Sequence, residues 1–318
     1  MQKTILVTGG AGYIGSACVR ALVADGHKVI VFDNLTTGKS DKVDPSAELV
    51  VGDITDLPAL QALCELHTFT AVMHFAAKKS VSESQIDPVL YFRNNVLGTL
   101  NILTCMEQYH IPQIVFSSTA AVYADKGSIG GCVTEDSPVD PSSVYGQSKL
   151  MSETLIKEFY NTKKISQYEI LRYFNVAGDS GLGFREDAAQ NVFPLIARAL
   201  ESDGVFTIFG TDYNTKDGTG VRDYIHLTDL VDAHLKALES TTTGIFNLGT
   251  KTGYTVRELV TTFEGKANKT VRVEEAERRA GDIASIVADA TKANTVLGWK
   301  PTHTLEEMVE STVSVYGL

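Results

Sequence analysis

The first half of the chain alternates short apolar runs with longer amphipathic stretches. Short apolar runs predict strands, and stretches with apolar positions three and four residues apart predict helices. Predicted strands lie at Thr4–Thr8, Lys28–Phe32, Glu48–Val51, Ala71–Phe75, Gln113–Ser117 and Tyr168–Phe174. Predicted helices lie at about 15–25, Leu57–His67, about Pro88–His110 and in a stretch that ends near Asn161. This alternation predicts an α/β fold with a doubly wound parallel sheet of the Rossmann type.

The pattern loosens in the second half of the chain. Loops rich in Gly, Asp and Asn separate short helices, which are predicted at Val192–Glu201 and Thr255–Phe263. We therefore predict a first domain at residues 1–177. A smaller mixed α/β lobe is predicted at residues 178–318, with some of its segments returning to the first domain.

Composition and charge restrict the classes of partner. The 318 residues are 43% apolar and carry a formal net charge of −11. A chain this acidic repels nucleic acid and anionic membranes, so an anionic ligand needs its own local arginines. We expect no membrane span, because no apolar run approaches about 20 residues, and no signal peptide, because the chain enters a strand at once. The four cysteines lack CxxC spacing, which favours free thiols in a reducing cytoplasm.

A glycine-rich loop follows the first predicted strand. Gly9–Gly15 reads G-x-x-G-x-x-G and leads into a predicted helix, where free N–H groups and the helix dipole favour a pyrophosphate. Asp33 ends the second strand and Asp53 the third. A carboxylate at the end of the second strand accepts ribose hydroxyls and repels a 2′-phosphate, which favours NAD over NADP. Two alternatives remain open: Asp33 as a helix cap or turn residue, and Asp53 as a plain turn residue.

Tyr145 and Lys149 lie four residues apart in a predicted helix and so share one face. A lysine ammonium beside a cationic nicotinamide ring favours the phenolate. We therefore expect the pKa of Tyr145 to fall toward working pH and the phenol to act as an acid and base. A surface tyrosine that happens to precede a lysine is the plain alternative.

A run of three hydroxyl residues, Ser117-Ser118-Thr119, ends the strand before that helix. Ligands of open α/β sheets bind outside the carboxyl ends of strands, so a Thr119 hydroxyl is expected to meet a substrate hydroxyl beside Tyr145. Turn formation is the simpler explanation of such a run. A serine hydrolase is disfavoured because G-x-S-x-G is absent, and no metal site is expected because the histidines are scattered.

Motifs along nearly the whole chain resemble those of one known family. They include TGGAGYIGS (8–16), FDNLTTG (32–38), VMHFAAKKSVSES (72–84), NNVLGTLNIL (94–103), VFSSTAAVY (115–123), YGQSKLMSE (145–153), LRYFNVAG (171–178), DGTGVRDYIHLTDL (217–230), FNLGT (246–250) and RRAGDIAS (278–285). The chain is similar to the extended short-chain dehydrogenases/reductases and, among them, resembles the UDP-glucose 4-epimerases. The resemblance implies a cytoplasmic homodimer of galactose metabolism that binds UDP-sugars, with neither nucleic acid nor membrane as a partner.

The resemblance also implies a mechanism. NAD stays tightly bound, a hydride leaves C4 of the sugar, the 4-keto sugar turns over, and the hydride returns to the other face. Tyr145 is the implied base, Thr119 its hydrogen-bonding partner and Lys149 the group that tunes it. The implied cofactor residues are Gly9, Gly12, Tyr13, Ile14, Asp33, Asn34, Asp53, Ile54, Phe75, Ala76, Ala77, Lys79, Asn95, Ser117, Tyr145, Lys149 and Tyr173. The implied substrate residues are Lys79, Thr119, Tyr145, Asn175, Asn191, Phe209, Arg222, Arg279 and Ile286.

Alternatives stay open for the substrate side. An epimerase acting on another UDP-sugar, such as an N-acetylhexosamine or a uronic acid, would carry the same cofactor residues. A 4,6-dehydratase needs an acid pair after the catalytic threonine, and the alanines at 120 and 121 argue against it. Three of the substrate residues also have plain interpretations. Arg279 could belong to a solvated charged run, Arg222 could form an ion pair with Asp223, and Ile286 could be a core residue of a short strand.

Overall fold

The computed structural model describes residues 2–123, 132–186, 191–279 and 282–318. Thirteen strands are assigned in these ranges: β1 Thr4–Thr8, β2 Lys28–Asp33, β3 Glu48–Val51, β4 Ala71–His74, β5 Gln113–Thr119, β6 Gln167–Tyr173, β7 Asn175–Ala177, β8 Val205–Phe209, β9 Val221–His226, β10 Gly244–Leu248, β11 Gly253–Thr255, β12 Arg272–Ala276 and β13 Ser285–Ile286. The largest sheet is parallel and seven-stranded, in the order β10-β6-β5-β4-β1-β2-β3. The predicted Rossmann-type α/β fold is confirmed.

Eleven α-helices are assigned in the same ranges: α1 Tyr13–Ala24, α2 Leu57–Leu66, α3 Val81–Ile86, α4 Pro88–Tyr91, α5 Gly98–Gln108, α6 Val144–Asn161, α7 Val192–Glu201, α8 Leu227–Glu239, α9 Val256–Ala267, α10 Thr291–Leu297 and α11 Leu305–Tyr316. Apolar residues of α1 and α8 form one core on the sheet, and those of α2, α5 and α6 form another on the opposite face. Because helices cover both faces of the sheet, its central strands are buried on both sides and their sequences are continuous apolar runs. No helix in the described ranges combines the length and apolarity needed to cross a bilayer.

The edge of the large sheet comes from the second half of the chain. β10 pairs in parallel with β6, with Gly244 opposite Glu169 and Leu248 opposite Tyr173. α8 covers the same end of the sheet and packs against α1. The indole nitrogen of Trp299 donates to the carbonyl oxygen of Asp229, which ties the segment after α10 to α8.

The remaining elements form a smaller layered unit. β9 is flanked by β11 and β13 and also pairs with β7, while β8 and β12 form a separate parallel pair. α7, α9 and α11 enclose a third apolar core. Thr255 begins α9 and Thr304 begins α11, each within a capping box that satisfies the first N–H groups of the helix.

The helix predicted at Pro88–His110 is interrupted. A π-helical segment, Phe92–Leu97, joins α4 to α5. The carbonyl oxygen of Asn95 accepts hydrogen bonds from the hydroxyls of Thr99 and Ser152, which fastens this segment to α6. The apolar periodicity continues through the segment, so the sequence carries no visible break.

Candidate active site

The glycine loop joins β1 to α1 beside the end of β4. Gly9 has a φ of 73°, and a Cβ there would lie 2.5 Å from the backbone nitrogen of Ala76. A Cβ on Gly15 would collide with the carbonyl oxygen of Gly9. Gly12 precedes α1 in extended backbone, no side chain caps that helix, and its first turn carries no acidic residue. The positive end of α1 therefore faces a close-fitting backbone cradle, which suits the pyrophosphate of a dinucleotide.

Asp33 ends β2 and is nearly buried. One carboxylate oxygen accepts from the backbone N–H of Ala11 at 3.0 Å, and the other accepts from that of Leu35 at 2.8 Å. Each oxygen keeps a further acceptor site, so the residue can both hold the glycine loop and accept ribose hydroxyls.

Asp53 lies in the turn after β3 and contacts Asn34. Its carboxylate accepts from the Asn34 amide at 2.9 Å and from the backbone N–H and hydroxyl of Thr55, each at 2.8 Å. Burial raises the pKa of Asp53, but the hydrogen bonds from Thr55 and Asn34 outweigh it and the pKa is lowered overall. The plain turn interpretation of Asp53 therefore describes its contacts within the protein.

Other predicted cofactor residues lie in α1 and in the turns after β3 and β4. The hydroxyl of Tyr13 donates to the carbonyl oxygen of Gly178 and so joins α1 to the second half of the chain. The backbone nitrogens of Phe75 and Ala76 both donate to the Thr8 carbonyl. Ile54 is buried, whereas Ile14, Ala76 and Ala77 are half-buried.

Thr119, Tyr145 and Lys149 come together where β5 meets α6. Ser143 begins α6 by accepting from the backbone N–H of Gly146 at 3.0 Å. The Thr119 hydroxyl lies close enough to the Tyr145 phenol to oppose the rise in its pKa. Lys149 is 3% exposed, and its ammonium lies 4.1 Å from the ring centroid of Phe116. The juxtaposition expected from the i, i+4 spacing and the strand end is therefore present.

In the protein alone the pKa of Tyr145 is raised, and the expected fall beside a nicotinamide ring stays a prediction. Burial raises the pKa of Tyr145 to about 12, against the opposing effect of the neighbouring Thr119 hydroxyl. Burial also lowers the pKa of Lys149 to about 7, although the carboxylate of Glu153 opposes that shift. Desolvation disfavours both the phenolate of Tyr145 and the ammonium of Lys149. The spacing of the two residues in the sequence gives no information about this burial.

Gly146 lets α6 approach the turn after β5, a role that was not predicted from the sequence. A Cβ at this position would collide with the carbonyl oxygen of Ala121 and lie 2.9 Å from the Cβ of Pro141. The position of this glycine, in the first turn of a helix and directly after Tyr145, could have indicated the close approach. Glycine destabilises a helix, so it is expected there only where a larger residue would not fit.

Asn95 and Lys79 make contacts within the protein. The Asn95 amide bonds both backbone polar groups of Lys78, at 2.8 and 3.0 Å, and donates to the hydroxyl of Ser148 at 2.9 Å. Lys79 is exposed and forms an ion pair with Glu186 at 2.5 Å. Asn95 thus aligns the segment after β4 with α6, next to Lys149.

Ser117, Phe75 and Tyr173 surround a histidine that was not anticipated. The hydroxyl of Ser117 lies 2.8 Å from Nε2 of His234, whose Nδ1 lies 2.8 Å from the Leu230 carbonyl oxygen. The ring of His234 lies 4.9 Å from that of Phe75 and 6.3 Å from that of Tyr173. Burial lowers the pKa of His234 to about 4, so it is neutral at neutral pH. No sequence spacing links α8 to this site.

The side chains of Arg222 and Asp223 contact different groups, so the interpretation of the two residues as an ion pair is wrong. The Asp223 carboxylate is buried and accepts from the backbone N–H groups of Thr250, Lys251 and Ala288. Arg222 is half-buried, and its guanidinium lies 3.7 Å from Asp282. One terminal nitrogen of the guanidinium also donates to the backbone carbonyl of Val221 at 2.9 Å, and the other faces only the distant Asp282, which holds it weakly.

Ile286 lies in β13 and pairs with Arg222 of β9. It is half-buried and packs against a cluster that includes Val122 and Phe174, with Ala120 beside them. Ile286 is therefore a strand residue, as its plain interpretation stated, and it also lies between Arg222 and the turn that follows Thr119.

The other predicted substrate residues lie on the smaller unit. The guanidinium of Arg279 lies 4.0 Å above the ring of Phe209, so it is more than a solvated charge. Asn175 begins β7 and donates to the carbonyl oxygen of Asp223 at 3.1 Å. Asn191 precedes α7 and its side chain does not cap that helix.

The chain is similar to proteins of one known family. A model of the NAD dependent epimerase/dehydratase family matches residues 5–249. The UDP-glucose 4-epimerase of Lactobacillus helveticus is 43% identical over 94% of this chain and 92% of its own length. That of Bacillus subtilis is 41% identical over 96% of this chain and 94% of its own.

Solved structures agree in fold. The UDP-glucose 4-epimerase of Stenotrophomonas maltophila, with bound NAD and formylated UDP-arabinopyranose, has a TM-score of 0.94 at 36% identity, covering 99% of this chain and 98% of its own. The UDP-Glc/GlcNAc 4-epimerase of Campylobacter jejuni has a TM-score of 0.87 at 34% identity, with 99% of each chain covered.

Replacing Gly146 with alanine tests the close approach of α6. We expect Gly146→Ala to lower the melting temperature and to reduce any turnover about 100-fold, because the added methyl group moves Tyr145 away from Thr119. Gly265→Ala in α9 is the matched control, since its Cβ would meet no atom within 4 Å. Equal stability and turnover in the two variants would remove Gly146 as a determinant of the site.

Proposed function

The chain belongs to the NAD dependent epimerase/dehydratase family, and we propose that it interconverts UDP-galactose and UDP-glucose. NAD is its cofactor. The observation that carries the proposal is the meeting of Thr119, Tyr145 and Lys149 at the carboxyl end of β5, in the same sheet as the glycine loop. An epimerase that acts on another UDP-sugar is the alternative.

The residues present suit NAD. The capless N-terminus of α1 would hold the pyrophosphate, and Asp33 would accept the ribose hydroxyls. Ser117, Phe75 and Tyr173, grouped around the neutral His234, would line the nicotinamide side. When bound, NAD accepts a hydride from C4 of the sugar and returns it to the other face.

The acid–base work falls to Tyr145. Its phenol oxygen removes the proton of the sugar 4-hydroxyl and later gives it back, while the Thr119 hydroxyl orients that oxygen. A phenol whose pKa is about 12 is too weak an acid for this task near neutral pH. We therefore propose that the ammonium of Lys149, one turn further along α6, favours the phenolate during turnover, because an opposite charge stabilises that form.

The smaller unit would hold the UDP moiety. In a chain of net charge −11 the diphosphate needs guanidinium groups, and Arg222 and Arg279 provide them on the same unit. Asn175, Asn191 and Phe209 would complete the contacts. We divide the chain near residue 178, with β10 and α8 returning to the cofactor-binding part.

We further propose a cytoplasmic enzyme of galactose metabolism. The four cysteines are free thiols, and three of them are buried, which suits a reducing compartment.

A homodimer is proposed from the outer surface of the helices that follow β4. Several large apolar side chains there are exposed: Ile86 (84%), Val89 (72%), Leu97 (40%), Leu100 (36%) and Met151 (40%). The helices that carry them, α3 to α6, pack against one another and so form a continuous surface. An apolar surface shared by several helices is typical of an interface between copies.

Turnover of UDP-galactose without added NAD tests the function. We expect UDP-glucose to form, because the cofactor is regenerated in each cycle. Tyr145→Phe should keep its NAD and lose about 10²–10⁴-fold in kcat, since only the phenolic oxygen is removed. Turnover that requires added NADP, or a fully active Tyr145→Phe enzyme, would contradict the proposal.

Ile286→Ser tests which sugars fit. The β-branched Ile286, fixed in β13, should limit the room for a 2-acetamido group, so we expect kcat/KM to favour UDP-galactose over UDP-N-acetylgalactosamine. The serine variant should narrow that ratio by about tenfold. Equal use of both sugars by the native enzyme would support the alternative substrate class instead.

Leu100→Glu tests the dimer. A charge in the apolar surface of α5 should give monomers in sedimentation velocity, because an unpaired carboxylate in an interface costs several kcal/mol. Val296→Glu is the control, being 41% exposed on α10 at the opposite face of the sheet. Dissociation in both variants, or in neither, would argue against this surface.

A further inference from the structure

A buried ion pair lies directly behind the candidate catalytic residues. Glu153 is fully buried on α6, and Arg172 is 2% exposed on β6. The guanidinium donates to both carboxylate oxygens, from Nε at 3.0 Å and from a terminal nitrogen at 2.6 Å. Burying two charges is costly and rarely adds stability over an apolar pair, so the arrangement calls for another explanation.

The pair connects the elements that carry the site. The hydroxyl of Ser118, next to Thr119 on β5, donates to Glu153 at 2.5 Å. Arg172 lies 5.0 Å from the ring centroid of Tyr123, whose hydroxyl donates to the Asn247 side chain of β10 at 2.5 Å. Glu153 also follows Lys149 by four residues, so the two side chains share one face of α6.

We propose that Glu153, fixed by Arg172 and Ser118, is a positioning residue that keeps Lys149 charged beside Tyr145. This inference rests on the proposed function, because a charged Lys149 matters only if Tyr145 acts as the acid and base. Without a nearby carboxylate, burial would leave the lysine mostly neutral at working pH. The contacts from Arg172 and Ser118 fix the position of the carboxylate on the same face of α6 as Lys149.

The other groups that face Lys149 do not supply that charge. His74 of β4 bonds Thr8 and Thr99 through its two ring nitrogens, and burial, then Lys149, lowers its pKa, so it is neutral. Phe116 of β5 offers only its ring. Tyr145 on the same helix is a neutral phenol in the protein alone, and burial raises the pKa of Tyr173 on β6, so it is also neutral. Arg172 is cationic and already paired.

The test measures the titration of Lys149 directly. The NAD-bound protein is labelled with ¹³Cε-lysine, and the resonance of Lys149 is assigned by its loss in Lys149→Met. We expect Glu153→Gln to lower the titration midpoint by about one pH unit or more. Glu169→Gln is the matched control, since this fully buried glutamate of β6 faces Gln113 and Gln167 and not α6. An unchanged midpoint in Glu153→Gln would overturn the inference.

A variant that removes both charges guards against failure to fold. Glu153→Gln leaves Arg172 without its partner, whereas Glu153→Gln with Arg172→Met leaves no unpaired buried charge. If only the double variant folds, its midpoint is compared with that of Arg172→Met, which lacks the same guanidinium, and Glu153→Asp should restore the midpoint in part. A purely structural role would lower the melting temperature without moving the midpoint.

Activity separates this inference from the proposed function. With UDP-galactose, the alkaline limb of kcat should move in the same direction as the midpoint, with KM changed by less than about twofold. A native protein that is inactive on UDP-sugars while its Lys149 midpoint still depends on Glu153 would defeat the proposed function alone. An active enzyme with an unmoved midpoint and limb would defeat only the role of Glu153.

Discussion

The desolvation of one lysine constrains much of the structure. Lys149 is 3% exposed at the carboxyl end of the sheet, where an isolated ammonium is costly. The protein surrounds it with groups that each offset part of that cost, namely the ring of Phe116 and the carboxylate of Glu153. Glu153 in turn needs Arg172, so one buried charge fixes the contacts between α6, β5 and β6.

The second half of the chain braces this arrangement. Asn247 of β10 accepts from Tyr123 and donates to the carbonyl of Val133 at 3.0 Å, and its backbone N–H bonds Glu135 at 2.7 Å. His234 of α8 contacts the hydroxyl of Ser117 on β5, the strand that also carries Ser118 and Thr119. The candidate site is thus built by both halves, although its predicted catalytic residues all lie in the first.

Residues whose chemistry depends on local order were predictable from the sequence. The glycine loop, the strand-end Asp33 and the Tyr145/Lys149 pair follow from rules about one strand, turn or helix. Gly146 and His234 were not recognised, because their importance lies in contacts with distant segments. The rise in the pKa of Tyr145 in the protein alone was not predictable, because burial depends on every surrounding element, whereas the spacing identifies only one neighbour.

The pairing of β10 with β6 has a consequence for how the protein is made. β6 ends at residue 173, yet its outer neighbour begins at Gly244, so the ribosome must add the intervening segment before that edge can be closed. Until then, nascent chains expose an unpaired, apolar strand edge, which is a template for intermolecular pairing. Non-local parallel pairing of this kind is slow to form, since loop closure precedes any gain in contacts. Chains that end after β6 but before residue 248 should therefore need chaperones or be degraded, even though they carry the Tyr145/Lys149 pair and the glycine loop.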